Sequence, residues 1–309
     1  MQVFYSSAYV AGAHELETTR KARWIADSLR DAPIAGVELV APTSLTTDDL
    51  LAVHDEQYVR AIRDGTPREL AESQSFVWDA GLWPMTLASN GGVVAAVHSA
   101  LASGRAGSLS SGLHHARRDR GAGYCTFNGL VVAARAALDV IAGSVLILDL
   151  DAHCGGGTAS LIADESRIWQ CDVSVSAFDQ YESSDRARLE LVRDAEHYLP
   201  TIERQLDRLA ADDSKFDLCI YNAGMDPFEH CATGGLPGID RAMLARREEL
   251  VFSWCGTRGI PVAFVLAGGY LGPSLDQAGL VALHRLTLSA AASSAPETKR
   301  SSRGSTGAA

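Results

Sequence analysis

Acidic and histidine side chains follow an apolar segment near the middle of the chain. After residues 145–148, Asp149, Asp151 and His153 stand at alternate positions, which an extended chain places on one side. Carboxylate oxygen and imidazole nitrogen are ligands that suit Zn²⁺ or a similar divalent ion. In the alternative interpretation, Asp151 caps a helix and His153 is an ordinary loop residue. This short motif alone leaves both interpretations open.

A third acidic residue follows another apolar run. Asp226 stands after FDLCIYNAG, residues 216–224, where an unpaired buried carboxylate would be costly. It would serve either as a helix cap or as a third metal ligand. In the second case Asp151, His153 and Asp226 form a set of two carboxylates and one histidine. Such a set leaves a coordination position open, as catalytic zinc sites do.

Two further segments carry residues that could move protons or donate hydrogen bonds. His114 and His115 are adjacent in a glycine-rich segment after the strand-like run GRAGSLS. Near a metal they would serve as general base and acid, whereas on a surface loop they would be solvated and without function. Tyr270 follows the apolar run IPVAFVL and a flexible Ala-Gly-Gly turn. Taken alone, it would be interpreted as a packed aromatic residue.

The elements that position these residues alternate along the chain. Apolar runs at residues 143–150, 167–178, 216–224 and 260–269 predict strands buried on both faces of a sheet. Helical periodicity is found at residues 128–141, with Asn128 as N-cap, and at 199–212 and 243–259. This alternation indicates an α/β fold with a mostly parallel sheet. Ligand sites in such folds lie beyond the carboxyl ends of the strands.

Composition favours one domain followed by a tail. The chain has 309 residues, of which 47% are apolar, enough for a sizeable core. Neither an internal repeat nor a linker interrupts residues 1–288, which predicts a single domain over that range. Residues 289–309 are small and polar, and we expect them to form a disordered tail.

Charge and cysteine content restrict partners and compartment. The formal net charge of -11 argues against nucleic-acid binding and weakly favours a cationic partner, such as a lysine-rich peptide or a polyamine. Six scattered cysteines fit a reducing cytoplasm. The first residues lack the features of a signal peptide, and no apolar run is long enough to span a membrane. We therefore expect a cytoplasmic protein without membrane or nucleic-acid partners, of undetermined oligomeric state.

Four motifs, in this order, resemble those of the histone deacetylase family, which includes acetylpolyamine amidohydrolases and acetoin-utilisation proteins. They are HHARRDRGAGYCTFN, LDLDAHCGGGT, AGMDPFEHCATGGL and LAGGY, and weaker similarity extends over residues 1–288. The resemblance implies a single-domain arginase/deacetylase-like fold, with a central sheet flanked by helices. It also implies hydrolysis of an acylated amine, either an acyl-lysine side chain or a small acylated amine, to the free amine and a carboxylate.

The resemblance further implies a role for each residue of the four motifs that could do chemistry. The ligands of one zinc ion are Asp151, His153 and Asp226, and the catalytic residues are His114, His115 and Tyr270. His115 would take a proton from the attacking water, and Tyr270 would donate a hydrogen bond to the substrate carbonyl. The supporting residues are Asp149, which orients His114, and Gly123 and Tyr124, which line an acyl-lysine channel. A structural potassium ion is expected near Asp149 and Ser176.

Differences from related families and from the deacetylase pattern lead to further expectations. Gly155 and Phe228 stand where arginases carry the extra acids of a two-metal site, so the sequence predicts one metal ion. Gly156 replaces the Asp or Asn that usually orients the second histidine, and Gly129 replaces an Asp. Unless another residue or an ordered water occupies the vacated space, we therefore expect His115 to be less well oriented and less basic, turnover to be slow, and Gly156→Asp to raise it.

Two further differences concern the substrate channel and the turn before the tyrosine. Ala267 replaces the first glycine of that turn, and a glycine-rich rim loop after Phe178 is expected to be shortened to ARLELVRDAEHYL. The channel mouth would then be remodelled. Together with Gly156 and Gly129, these differences suggest an alternative function, an acyl-lysine binding protein that retains zinc but has little or no activity.

Overall fold

A single eight-stranded sheet runs through the computed structural model, which describes residues 1–12, 14–211 and 215–293. The strands are β1 (Gln2–Phe4), β2 (Glu38–Val40), β3 (Arg105–Ser108), β4 (Ser144–Asp149), β5 (Ile168–Ser174), β6 (Ala187–Leu191), β7 (Phe216–Asn222) and β8 (Val262–Val265). Their order is β2-β1-β3-β8-β7-β4-β5-β6, and every pairing is parallel. The predicted α/β class with a parallel central sheet is confirmed.

Helices connect the strands and cover both faces of the sheet. Within the described residues they are α1 (Lys21–Asp31), α2 (Thr47–Leu51), α3 (Glu56–Asp64), α4 (Arg68–Ala71), α5 (Leu82–Ser103), α6 (Gly129–Leu138), α7 (Gly156–Ile162), α8 (Tyr198–Ala211), α9 (Arg241–Thr257) and α10 (Gln277–Ser293). Short 3₁₀ helices span Ser7–Val10, Glu17–Thr19 and Ala195–His197. None of these described helices has the length and apolar character needed to cross a membrane.

The central strands are apolar on both sides because helices pack against both faces. In β4, Leu146 and Leu148 belong to one hydrophobic core, whereas Val145 and Ile147 belong to the other. A strand buried in this way shows a continuous apolar run instead of an alternating pattern. The predicted N-cap of α6 is also found, since the Asn128 side chain accepts a hydrogen bond from the Val131 amide at 3.1 Å.

Several elements differ from the sequence-based expectations. The expectation that ARLELVRDAEHYL forms a shortened rim loop is wrong for its first part, because Ala187–Leu191 pairs with β5 as the edge strand β6. The expected tail boundary at residue 289 falls inside α10, which continues to Ser293 because Ala291 packs into the core. Residues 294–309 of the expected tail lie outside the described residues, as does residue 212, the expected end of α8.

A buried ion pair lies beneath the end of β4. The side chains of Arg247 and Glu248 are both 0% exposed, and Arg247 Nη2 donates to Glu248 Oε1 at 2.6 Å. Arg247 Nη1 also donates to the carbonyl oxygen of Leu150 at 3.2 Å. Leu150 separates Asp149 from Asp151, so this pair helps to fix the backbone that carries both acidic residues.

Replacing Arg247 with methionine is expected to lower the free energy of unfolding by about 3–5 kcal/mol, because the Glu248 carboxylate would stay buried without its partner. Urea unfolding measures the change. Arg246→Met is the matched control: Arg246 is exposed on the same helix, and its loss should change the stability by no more than about 0.5 kcal/mol. Equal stability of the two variants would contradict this account of the ion pair.

Candidate metal and catalytic site

The residues predicted to do chemistry converge at the carboxyl ends of four strands. His114 and His115 follow β3, Asp149 ends β4, and Asp151 and His153 come next on the same connection. Asp226 follows β7, and Tyr270 follows β8. Since the sheet is parallel, these connections meet at one edge of it. The segment after β5 reaches the same place and brings in Phe178 and Asp179, as described below.

Asp151, His153 and Asp226 form a buried cluster. Each offers one ligand atom, and the three atoms lie within 4.8 Å of one another. His153 Nδ1 lies 3.1 Å from Asp151 Oδ1 and 3.1 Å from Asp226 Oδ2. The other Asp226 oxygen, Oδ1, accepts the Ala152 amide at 3.0 Å, while Oδ2 is buried and accepts no hydrogen bond. A carboxylate oxygen left in this state fits a divalent metal ligand, so the donor set suits such an ion.

Charge is concentrated in this cluster. Burial raises the pKa of Asp226, as does the charge of Asp151, to about 6. Burial alone would lower the pKa of His153, but the adjacent carboxylates of Asp151 and Asp226 raise it to about 11. Without a metal, the imidazolium of His153 therefore supplies the positive charge that these carboxylates require. A divalent cation would take over that role.

The two adjacent histidines have opposite electrostatic environments. Burial would lower the pKa of His114, but the charges of Asp149 and Asp151 raise it to about 10. His114 Nδ1 lies 2.8 Å from Asp149 Oδ2. By contrast, burial and the charge on His114 lower the pKa of His115 to about 4. The Nε2 atoms of the two rings are 3.1 Å apart. At neutral pH His115 is thus the histidine able to accept a proton.

Another residue supplies the carboxylate partner of His115, so the condition for a poorly oriented His115 is not met. Its Nδ1 lies 2.9 Å from Asp179 Oδ2 on the connection after β5. A Cβ atom on Gly156 would come within 2.3 Å of the Asp179 carbonyl oxygen and 2.7 Å of its Oδ1. The structure also removes the reason for expecting Gly156→Asp to raise turnover, because a side chain at position 156 would collide with the partner already present.

The space beside Gly129 is also occupied. A Cβ atom at this position would lie 2.7 Å from Asn90 Oδ1, which is buried and accepts no hydrogen bond among the described residues. The Asn90 amide donates to the Thr86 carbonyl oxygen at 2.8 Å within α5. The missing acid at position 129 is therefore compensated in volume by a neighbouring polar side chain.

Tyr270 stands on a turn that packs directly against the metal-site carboxylates. Gly268 has φ +45°, and a Cβ atom there would lie 2.1 Å from Asp226 Oδ1, so the turn requires glycine at this position. The buried Lys21 ammonium donates to the Gly268 carbonyl oxygen. Burial lowers the pKa of Lys21 to about 8, although Asp226 and Asp151 oppose this effect. Burial, together with the same two carboxylates, raises the pKa of Tyr270 well above its usual value, which keeps the phenol protonated.

An open cavity of about 430 Å³ gives access to these groups. Its lining includes His115, His153 and Tyr270 from the site and Gly123 and Tyr124 from the predicted channel. The remaining lining residues are Leu16, Ser176, Phe178, Thr233 and Gly234. The Tyr124 and Phe178 rings are 41% and 52% exposed, so two aromatic side chains flank the opening.

Three residues of the site escaped the sequence analysis. Asp179 stands shortly after β5, and the strand-end rule applied to the other acids would have found it. Arg117, which contacts Asp179 at 2.5 Å, lies within the double-histidine motif. Lys21 lies on the buried stripe of α1 with Ile25 and Leu29, and a lone lysine on an apolar stripe was the available signal.

Comparison with known proteins identifies the family to which this chain belongs. The histone deacetylase domain model matches residues 14–286. This chain belongs to the histone deacetylase family. The expected deacetylase class of enzyme is thereby confirmed. An uncharacterized protein of Picosynechococcus sp. is 33% identical over 248 residues, which cover 78% of this chain and 82% of that protein.

A further relative and a solved structure are less similar in sequence. Histone deacetylase 2 of Arabidopsis thaliana is 27% identical over 300 residues, which cover 89% of this chain and 76% of that protein. The crystal structure of acetylpolyamine aminohydrolase from Burkholderia pseudomallei has a TM-score of 0.75 at 16% identity. The match covers 95% of this chain and 99% of that chain, and at this identity it shows the shared fold alone.

Proposed function

We propose that this histone deacetylase family member uses one Zn²⁺ ion to hydrolyse an acylated amine to the free amine and a carboxylate. The substrate would be an acyl-lysine side chain or a small acylated amine. The observation that carries this proposal is the meeting of a three-ligand metal cluster, two histidines of opposite pKa shift and a protonated phenol at one cavity. Together these groups can activate a water, polarise an amide carbonyl and protonate the departing amine, which are the steps of metal-assisted amide hydrolysis.

Asp151, His153 and Asp226 would hold the metal, which when bound supplies Lewis-acid activation of the water and the substrate carbonyl. His115 is neutral at pH 7 and would accept the proton of the attacking water. Tyr270 would donate its phenolic proton in a hydrogen bond to the carbonyl oxygen as negative charge develops there. A histidine of the pair then protonates the departing amine.

Asp149 has a supporting role in this proposal. Its Oδ2 faces His114 Nδ1, and its Oδ1 accepts the Asn222 side-chain amide at 2.7 Å and the Asp151 amide at 3.2 Å. One carboxylate thus connects a catalytic histidine with the backbone of a metal ligand. The potassium ion expected near Asp149 and Ser176 stays a prediction.

The proposed activity and its substrate class are tested by assaying metal-reconstituted protein on a panel of acyl-lysine peptides and acetylated polyamines. We expect release of carboxylate from at least one of these two substrate classes, and the preferred class identifies the substrate type. Binding of the panel without release of product would instead support the binding-protein alternative. That alternative has lost its main argument, because Asp179 lies beside His115.

A reducing cytoplasm is supported by the six cysteines, all of which are buried and free.

Metal binding is expected to release protons. In the metal-free protein the pKa of His153 is raised to about 11, so at pH 7 its imidazole carries a proton that a metal must displace. The pKa of Asp226 is about 6, so this carboxyl adds a second proton as the pH falls through that value. Titration calorimetry in buffers of different ionisation enthalpy should detect at least about one proton released per zinc at pH 7 and more at pH 5. Proton release that is absent at pH 7, or that falls toward pH 5, would contradict this prediction.

A further inference from the structure

The carboxylate of Asp179 connects three segments of the site. Oδ2 accepts from His115 Nδ1 at 2.9 Å and from the Gly157 amide at 3.1 Å, and Oδ1 accepts from Arg117 Nη2 at 2.5 Å. The Asp179 side chain is 8% exposed. Although burial raises its pKa, the contacts with His115 and Arg117 lower it overall, so the group is ionised at neutral pH.

The backbone of Asp179 indicates that this side chain is needed. Its φ angle is +61°, in the left-handed region where glycine is the ordinary choice and aspartate and asparagine are the best tolerated alternatives. A residue kept in this conformation while its side chain makes three hydrogen bonds suggests a functional constraint. Glycine here would relax the backbone but remove the carboxylate.

Gly156 borders the space that the Asp179 carboxylate occupies. A Cβ atom at this position would lie 2.3 Å from the Asp179 carbonyl oxygen and 2.7 Å from Asp179 Oδ1. Gly156 therefore leaves room for a carboxylate that arrives from the neighbouring connection. A side chain at 156 and the present position of Asp179 exclude each other.

We propose that Asp179 is the positioning residue of His115, held in place by Arg117, and this proposal rests on the proposed hydrolytic function. An ionised carboxylate can only accept hydrogen bonds, so its contact requires the hydrogen of neutral His115 to be on Nδ1. Nε2 is then free to accept a proton from water. Arg117 holds the Asp179 carboxylate by a hydrogen bond to Oδ1, the oxygen that does not face His115. The plane and the tautomer of the His115 imidazole are therefore set before substrate enters.

Asp179→Gly tests the proposal in the zinc-loaded full-length chain. We expect kcat to fall by about 10- to 100-fold, as when a supporting carboxylate is removed from a catalytic site, with KM changed by less than about twofold. Metal content should not fall, because the hydrogen bonds of the Asp179 side chain go to His115, Arg117 and Gly157 and not to a metal ligand, and glycine suits φ +61°. Asp179→Asn, which keeps an acceptor oxygen without the charge, should lose less activity. Asp185→Gly is the matched control, since Asp185 is exposed on the same connection.

A second measurement does not depend on turnover. Long-range ¹H–¹⁵N NMR of the zinc-loaded protein should show His115 as a single Nδ1–H tautomer in the wild type and as a tautomer mixture in Asp179→Gly. If the wild type hydrolyses nothing on the panel but this tautomer change occurs, the proposed function fails while the positioning role stands. An unchanged tautomer, or a wild-type kcat in Asp179→Gly, overturns the positioning role.

The exclusion between the two positions gives a third test. Gly156→Asp should lower kcat in the wild-type background, because its side chain displaces Asp179. In the Asp179→Gly background the same substitution should raise kcat, since the relaxed connection can move and a carboxylate returns beside His115. A change of the same sign in both backgrounds would contradict a shared place for the carboxylate.

Discussion

Asp226→Asn is expected to reduce bound zinc from about one ion per chain to nearly none and to abolish turnover, since it removes the charge of one of three ligands. Asp151→Ala should do the same. Elemental analysis and the substrate panel measure both effects. Asp185→Ala, at an exposed acid, is the control and should keep full metal content and rate. Full occupancy in both ligand variants would show that the ligands are other residues.

The Asp226 variant should also separate metal binding from stability. Burial and Asp151 raise the pKa of Asp226 to about 6, above its unfolded value. The folded metal-free state therefore binds this proton more tightly, and ionisation of Asp226 destabilises the fold as the pH rises through 6. At pH 7, metal-free Asp226→Asn should unfold at no lower temperature than metal-free wild type. The stabilisation by added zinc seen in the wild type should be absent from the variant.

Tyr270→Phe is expected to keep its metal and to lower kcat by a factor of about 100 or more, since it removes one donor to the developing oxyanion without changing a ligand. The phenol is the relevant form because burial, Asp226 and Asp151 all raise its pKa. Steady-state kinetics with parallel metal analysis measures the effect. Tyr5→Phe, which removes a phenol from the hydrophobic core, is the matched control. A near-normal rate for Tyr270→Phe would reject the proposed role.

Sequence reasoning succeeded for the fold where burial leaves a long pattern. The strands β4, β5, β7 and β8 lie within continuous apolar runs, because helices cover them on both faces. The strands β1 and β2 have three residues each, too few to show a pattern, and β6 at the other edge is only partly buried. Helix α5 was not predicted, because it is apolar on most sides and shows no clear helical periodicity.

For the site, the contacts that could be predicted were those between residues close to each other in the sequence. Asp149, Asp151 and His153 share one short motif, so their geometry follows from local spacing. The contact of His115 with Asp179 joins residues 64 positions apart and depends on the path of the connection after β5. The family pattern places the orienting acid at position 156, but in this chain the acid beside His115 is Asp179, which comes from another connection.

The close contact between Gly156 and Asp179 has an evolutionary consequence. Moving the histidine's carboxylate between these two positions requires two substitutions, and each order passes through an unfavourable intermediate. One intermediate has two acids competing for one space, and the other has none. Lineages that carry the acid on the α7 side or on the β5 side should therefore interconvert rarely. Aligned column by column, a chain such as this one would be misjudged as catalytically impaired, because its acid reaches the same histidine from a different position in the sequence.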